Sequence, residues 1–394
     1  MTALFAHVHA LAEEIGPRGT GTAGEAAAAA YVKDRLAALG LTPGESTFAA
    51  VPSQNVFPLA IDAAALLALI VYPLGGALSR WTAAVLALST APMLWQTIRT
   101  SNCLLRPLLP KIMSRNVVAR VEPRCERCRD VVLLAHLDTN RCRLAWQSGM
   151  VRNLRPLTHL TLGMLAIPGL LYLLGAVLGG AMWAWWISLL PASYVLGTVI
   201  TLLIDDRSPF SRGAHDNAAS VAIALGLAAH LVDRPLERTR VWLAFTGAEE
   251  TDHAGLYSLL RDYRTALQDA LFIGLEGLGS GRLVYLTRQG LCARYRPDPA
   301  LLEIASRVAA AEPGLGACAA EMTGEDEVGT LRRQGYTAIC LAGQDPDTGA
   351  LPYWHRKDDT VDKISPAFLE RARAFVLAVL LDIDRPGAGT AQAD

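Results

Sequence analysis

Val241-Trp242-Leu243-Ala244-Phe245-Thr246-Gly247-Ala248-Glu249-Glu250 is the stretch on which the reading of the chain turns. A β-branched and aromatic run that stops in small residues and two adjacent acids describes a buried strand delivering carboxylates to the end of a sheet. Open α/β sheets place their chemistry at that end. Neighbouring carboxylates repel when both are ionised, so a buried Glu249-Glu250 pair requires a cation or a proton between them. At a solvated helix start the same two acids would only favour the positive end of the helix dipole.

Outward from this strand, the same pattern recurs. Residues 130–135 are almost wholly apolar and run into His136-Leu137-Asp138; residues 271–275 run into Glu276; residues 337–341 are followed by a loop carrying Trp354-His355 and Asp358-Asp359-Thr360. Residues 116–121 read as a further strand, and Arg212-Gly213-Ala214-His215-Asp216-Asn217 precedes a long apolar helix to Val232. Taken singly, a histidine at a strand end is an ordinary core or capping residue, and Asp216 can cap its helix. Taken together, His136, Asp216, Glu249, Glu250, Glu276 and His355 give two imidazoles and a set of carboxylates at strand ends, which suits zinc with mixed nitrogen and oxygen ligands. His159, His215, His230 and His253 are read as ordinary histidines. Residues 5–39 form two amphipathic helices split by the Gly16-Pro17-Arg18-Gly19-Thr20-Gly21 turn, and Ser365-Pro366 opens a closing helix to residue 381. The Gly/Ala-rich tail after Pro386 is expected to be disordered.

Of the 394 residues, 52% are hydrophobic and only 19% charged; soluble domains average about 25% charge, so part of the chain is expected in lipid. A net charge of -1 argues against a nucleic-acid partner. Seven cysteines without a regular framework fit a reducing compartment, and the lone Cys125/Cys128 pair reads as a surface turn. Residues 1–17 lack the basic and apolar regions of a cleavable signal peptide.

Residues 57–78 and 81–98, then 160–178 and 185–204, are four apolar runs, each near the roughly 20 residues that cross a bilayer. They read as two transmembrane hairpins, with Trp183, Trp185 and Trp186 at an interfacial belt. Flanking arginines and lysines, Arg99, Arg106, Lys111, Arg115, Arg152, Arg155, Arg207 and Arg212, outnumber the single Arg80 in the opposite turns. The positive-inside rule then puts the rest of the chain in the cytoplasm, as the part outside the bilayer of an integral protein of the cell membrane. The expected organisation is a main domain from residues 1–56, 99–156 and 205–385, hairpins at 57–98 and 157–204, and a tail at 386–394.

The order Ala-His-Leu-Asp at 135–138, His-Asp-Asn at 215–217, Glu249-Glu250, Leu-Glu-Gly at 275–277 and Trp-His-Arg-Lys-Asp-Asp-Thr at 354–360 resembles the M28 family of co-catalytic zinc aminopeptidases. The resemblance also takes in the Gly-Pro-Arg turn and Asn116-Val117-Val118-Ala119. It implies an α/β fold, a mixed, mostly parallel open sheet flanked by helices, here with four inserted transmembrane helices. It further implies two zinc ions bridged by Asp216, one also held by His136 and Glu276 and the other by Glu250 and His355. Glu249 would be the general base, Asp138 would orient His136, and the substrate would be a peptide shortened from its N-terminus. His215 stands where the family usually has an acid, the residue after Asn-Ala-Ser is commonly Gly whereas this chain reads Asn217-Ala218-Ala219-Ser220, and Glu276 stands where many members have Asp. The loop Thr323-Gly324-Glu325-Asp326 lies where the family has a substrate-side segment. Other readings of the same scaffold are an N-acyl amino acid amidohydrolase, glutaminyl-cyclase-like acyl transfer, and a non-catalytic membrane scaffold; the last would be expected to have lost ligands. With one hairpin before residue 116 and the other between His136 and Asp216, the mouth of the site is expected near the cytoplasmic membrane surface.

Overall fold

The computed structural model describes residues 2–147 and 149–385. In chain order the helices are α1 (Ala3–His9), α2 (Ala23–Ala38), α3 (Val56–Val71), α4 (Gly76–Thr100), α5 (Leu154–Val177), α6 (Trp183–Asp205), α7 (Ala219–Asp233), α8 (Glu249–Asp252), α9 (Ala254–Asp262), α10 (Arg264–Leu267), α11 (Pro299–Ala311), α12 (Glu327–Arg333) and α13 (Pro366–Asp384). The strands are β1 (Gly44–Ala50), β2 (Ile112–Val121), β3 (Arg129–His136), β4 (Thr239–Thr246), β5 (Leu271–Glu276), β6 (Arg282–Gln289), β7 (Cys318–Met322) and β8 (Thr337–Gln344). They form one sheet in the order β1-β2-β4-β3-β5-β8-β6-β7. Its centre, β4-β3-β5-β8, is parallel, while β1, β2 and β6 join antiparallel to a neighbour. The tail after Pro386 lies outside the described residues.

The central strands are apolar throughout because helices cover both faces. In β3 the two-residue period sends Val131 and Leu133 into one core with Leu4, Val32, Val221 and Phe375, and Val132 and Leu134 into the other with Leu256 and Leu331. Each such side chain contributes about 1.5–3 kcal/mol on full burial. The closing helix begins where Ser365 accepts the N–H of Phe368 and Pro366 takes the first turn. Cys125 and Cys128 are exposed and free.

Helices α3 and α4 are inserted between β1 and β2, and α5 and α6 between β3 and α7. They close into a ring in which each touches its two neighbours. Gly169 on α5 lets the backbones approach: a Cβ there would lie 2.9 Å from the Leu88 backbone. On the outer surface Ile70, Leu78 and Leu190 are exposed. Three helices, Val56–Leu74, Val151–Val177 and Trp183–Asp205, are long and apolar enough to cross a membrane. The fourth expected span, in α4, is not among them: its Arg80, Ser89, Thr90, Gln96, Thr97 and Arg99 dilute its apolar content below that of the others.

Candidate metal centre at the strand ends

The parallel strands carry the site to their carboxyl ends. Leu134 pairs with Gly274, so two residues further on His136 and Glu276 emerge side by side, and His136 Nε2 lies 3.3 Å from Glu276 Oε1. β4 ends at Thr246, and the chain turns through Ala248 in the left-handed region (φ 52°), which lifts Glu249 and Glu250 into the first turn of α8. His355 follows β8 by a loop and is itself left-handed (φ 51°). Among the described residues, four of the five non-glycine residues with positive φ, Ala248, His253, Tyr353 and His355, sit here. Such strained backbone persists only where surrounding contacts over-determine it.

Those contacts are specific. Asp138 accepts the backbone N–H groups of Glu249 (3.1 Å) and Glu250 (3.2 Å) and the hydroxyl of Thr20 (2.7 Å). Glu25, whose backbone N–H donates to the N-cap Thr22, accepts from Gly21 N and Ser114 Oγ and reaches Ala248 N at 3.3 Å. Asp359 accepts from the backbone of His215 (2.6 Å) and Asp216 (3.2 Å). Asn217 fastens that loop to the end of β5, donating to Leu275 O and accepting from Gly277 N.

The carboxylate of Asp216 stands between the two imidazoles. Its Oδ1 is 3.1 Å from His136 Nε2, and its Oδ2 is 3.5 Å from His355 Nε2. On the far side of His355, Glu250 Oε2 is 2.9 Å away. Asp216 Oδ1 and Glu250 Oε1 are buried without a hydrogen-bond partner, although Oδ1 is within reach of His136. Donors that are close but not aligned with each other are aimed at a common point. Two ligand atoms about 2.0 Å from a tetrahedral zinc stand roughly 3.3 Å apart, so these separations fit that metal. Ligand atoms of His136, Asp216 and Glu250 all lie within 4.8 Å of one another.

The charge balance points the same way. Desolvation pushes Glu250 and Glu276 up to about 7 and Glu249 well above the ordinary carboxylate value. Burial alone would lower His136, but Glu249 and Glu276 overcome it and hold the imidazolium well above its usual pKa. Burial takes His355 down to about 3. Asp216, Glu249, Glu250 and Glu276 share one buried spot, where a divalent cation would offset the repulsion between them.

Residues 201–380 match the family model of peptidase family M28. The M28 match spans Asp216, Glu249, Glu250, Glu276 and His355 and begins after His136. No curated protein matches the chain. Similar solved structures include a glutaminyl cyclase of Bacteroides thetaiotaomicron bound to N-acetylhistamine (15% identity, 96% of each chain covered, TM-score 0.57). A Zn-dependent exopeptidase of Parabacteroides distasonis (14% identity, 96% of this chain and 97% of that one, TM-score 0.57) and a zinc aminopeptidase of Bacillus subtilis (14%, 96% and 94%, TM-score 0.57) are equally similar. The fold is that of the zinc exopeptidases, and the M28 match together with these neighbours supports an enzyme, a hydrolase of the peptidase class.

All six residues read from the sequence as ligands or base come together. Asp138 stands beside them, against the His136 ring. His136 Nδ1 is 3.0 Å from the Asp138 carbonyl oxygen but 3.7 Å from its carboxylate, so the carbonyl fixes the ring and leaves Nε2 free to ligate, while the carboxylate holds the Glu249-Glu250 turn. Other neighbours carried no sequence signal. Asn140 donates to Glu250 Oε2 at 2.9 Å, Trp146 lies against His355 with ring centroids 5.3 Å apart, and Glu327 accepts from Thr246 at 2.9 Å. His253, read as ordinary, puts Nε2 3.4 Å from Glu249 Oε1 and Nδ1 2.9 Å from Thr330 Oγ1; its spacing of four from Glu249 on a helix start was the available signal. His215 is buried but outside the ligand cluster, with its Nε2 unpaired.

Proposed function

We propose that this protein is a membrane-anchored, zinc-dependent exopeptidase that releases N-terminal residues from peptides, with its catalytic domain on the cytoplasmic face of the cell membrane. The observation that carries the reading is the Asp216 carboxylate, which turns one oxygen to His136 and the other to His355. His136 with Glu276, and His355 with Glu250, would then hold one zinc ion each, and Asp216 would bridge them. Bound zinc supplies positive charge that polarises the scissile carbonyl and brings a water's pKa near neutrality.

The chain's own groups do the rest. Glu249 takes the proton from the attacking water and returns it to the leaving amine, the acid–base role of a carboxylate free of other duties. Asp138 holds the backbone of both glutamates, which keeps Glu249 turned to the reacting centre while Glu250 ligates. Trp146 and Trp354 pack around His355 and exclude water from that side. The apolar outer faces of α3, α5 and α6, together with the arginine-rich flanks, support the membrane anchor.

Metal analysis of the purified chain is the test. Two zinc ions per chain are expected, and His136→Ala should bring the content down to one. One ion in the unaltered chain, with cyclisation of N-terminal glutamine, would move the assignment to the cyclase chemistry named for several similar structures. No bound zinc would leave a scaffold.

A further inference from the structure

The cleft above the metal centre does not end at the sheet. A single cavity of about 680 Å³ is lined at one end by Glu249, Glu276 and His355 and at the other by residues from all four inserted helices. Asp62 lies six residues inside the start of α3 and Tyr194 eleven residues before the end of α6, so at 1.5 Å per residue the cavity reaches about 9–16 Å into the bundle. Beyond that depth the bundle is closed: Tyr72 stacks on Tyr172 at 4.5 Å, with Ala68, Ala83, Ala87 and Ala184 around them. The cavity is a blind pocket with the metal centre at its mouth.

Its walls say what it holds. Phe57, Leu94, Leu154 and Leu202 give apolar surface. The polar groups on the helices are paired with each other: Thr198 Oγ1 donates to Asp62 at 2.8 Å, and Thr161 Oγ1 meets Tyr194 OH at 2.9 Å. Arg143, the cation at the junction, is committed to Asn140 and Asn55. An occupant therefore meets mainly apolar surface along the shaft, with the Asp62 carboxylate, held by Thr198, as a polar group on its wall. A fifth helix does not fit inside four that already touch around a ring, because packed helices stand only about 8–10 Å apart. One extended chain does.

We propose that the substrate is an amide carrying a single long, unbranched apolar chain, which lies in the bundle while the amide reaches the metal centre. This rests on the hydrolase reading above and names its substrate class. The chain can belong to the leaving amine or to the acyl side. In either case the carbon–nitrogen bond breaks, water's oxygen joins the carbonyl carbon, and a proton goes to the leaving nitrogen.

The test uses the zinc-loaded, full-length protein in lipid nanodiscs with two series of substrates of rising chain length, leucine n-alkylamides and N-acyl glycines. In at least one series kcat/KM should rise about two- to four-fold per methylene, as buried CH₂ groups do, and level off once the chain spans the shaft. The responding series tells which side bears the chain. Gly197 lines the cavity with nothing within 4 Å of where its Cβ would be, so Gly197→Phe should fill the shaft and flatten the rise. Gly163 on α5 has the same open space but does not line the cavity, and Gly163→Phe should leave the rise intact. Turnover of short members with no chain-length dependence, or a rise that Gly197→Phe does not alter, overturns the inference and leaves the hydrolase standing. No turnover of any amide, short or long, removes both.

Discussion

Arg143 holds Asn140 by two hydrogen bonds, Nε and NH2 both donating to Oδ1 at 2.9 and 2.7 Å. Asn140 in turn donates to Glu250 Oε2, and Arg143 NH1 donates to Asn55 at the head of α3, whose amide reaches Asp206 at the foot of α6. A buried cation thus ties a carboxylate of the proposed metal centre to both inserted helix pairs. Groups that orient ligands in this way are typically worth 10- to 100-fold in metal affinity. Asn140→Ala should weaken zinc binding by that factor at the His355–Glu250 position, which competition with a chromogenic chelator will measure. Unchanged affinity would show that Glu250 needs no such support.

Stripping the metal should destabilise the fold, because Asp216, Glu249, Glu250 and Glu276 are left to repel one another around His136. Ligand linkage gives about 2.7 kcal/mol when zinc stands at one hundred times its Kd. The thermal midpoint should fall on chelation and recover with zinc. A midpoint indifferent to chelator would mean that these residues do not hold a metal.

His253 bridges Thr330 and Glu249. His253→Ala should lower kcat by about ten-fold, within the range that misplacing a catalytic group costs, while the zinc content and KM stay as they were. Loss of zinc from the variant would instead assign His253 to metal retention.

The turn between α3 and α4, at Ser79 and Arg80, lies at the far end of the bundle from the sheet. A reporter inserted there should behave as external and one after α13 as cytoplasmic. A cytoplasmic signal from both would remove the membrane anchor from the account.

The central strands were legible because burial on both faces makes β3, β4, β5 and β8 continuous apolar runs, and each runs directly or through a loop into a residue of the proposed metal centre. β1 and β7 were not, since Gly44–Ala50 and Cys318–Met322 are edge strands with neither an apolar run nor a clean alternation. β6 was also missed; its pairings with β8 and β7 place it. Residue types at strand ends announced the ligands, but Asn140, Arg143 and Asn55 act across separations of 88 to 110 residues, which no local pattern records. Asp138 shows the limit in miniature: its position beside His136 was readable, whereas the division of labour between its carbonyl and its carboxylate depended on where β4 ended.

The most direct test of the account is hydrolysis of a panel of aminoacyl reporter amides by the zinc-loaded protein, beside a chelated sample and Glu249→Gln. Zinc-dependent turnover is expected, reduced about 10²- to 10⁴-fold in Glu249→Gln, the usual worth of a general base, with the variant's zinc content unchanged. Turnover that survives in Glu249→Gln, or that persists after zinc is removed, would contradict the assignment of this site as a zinc peptidase centre.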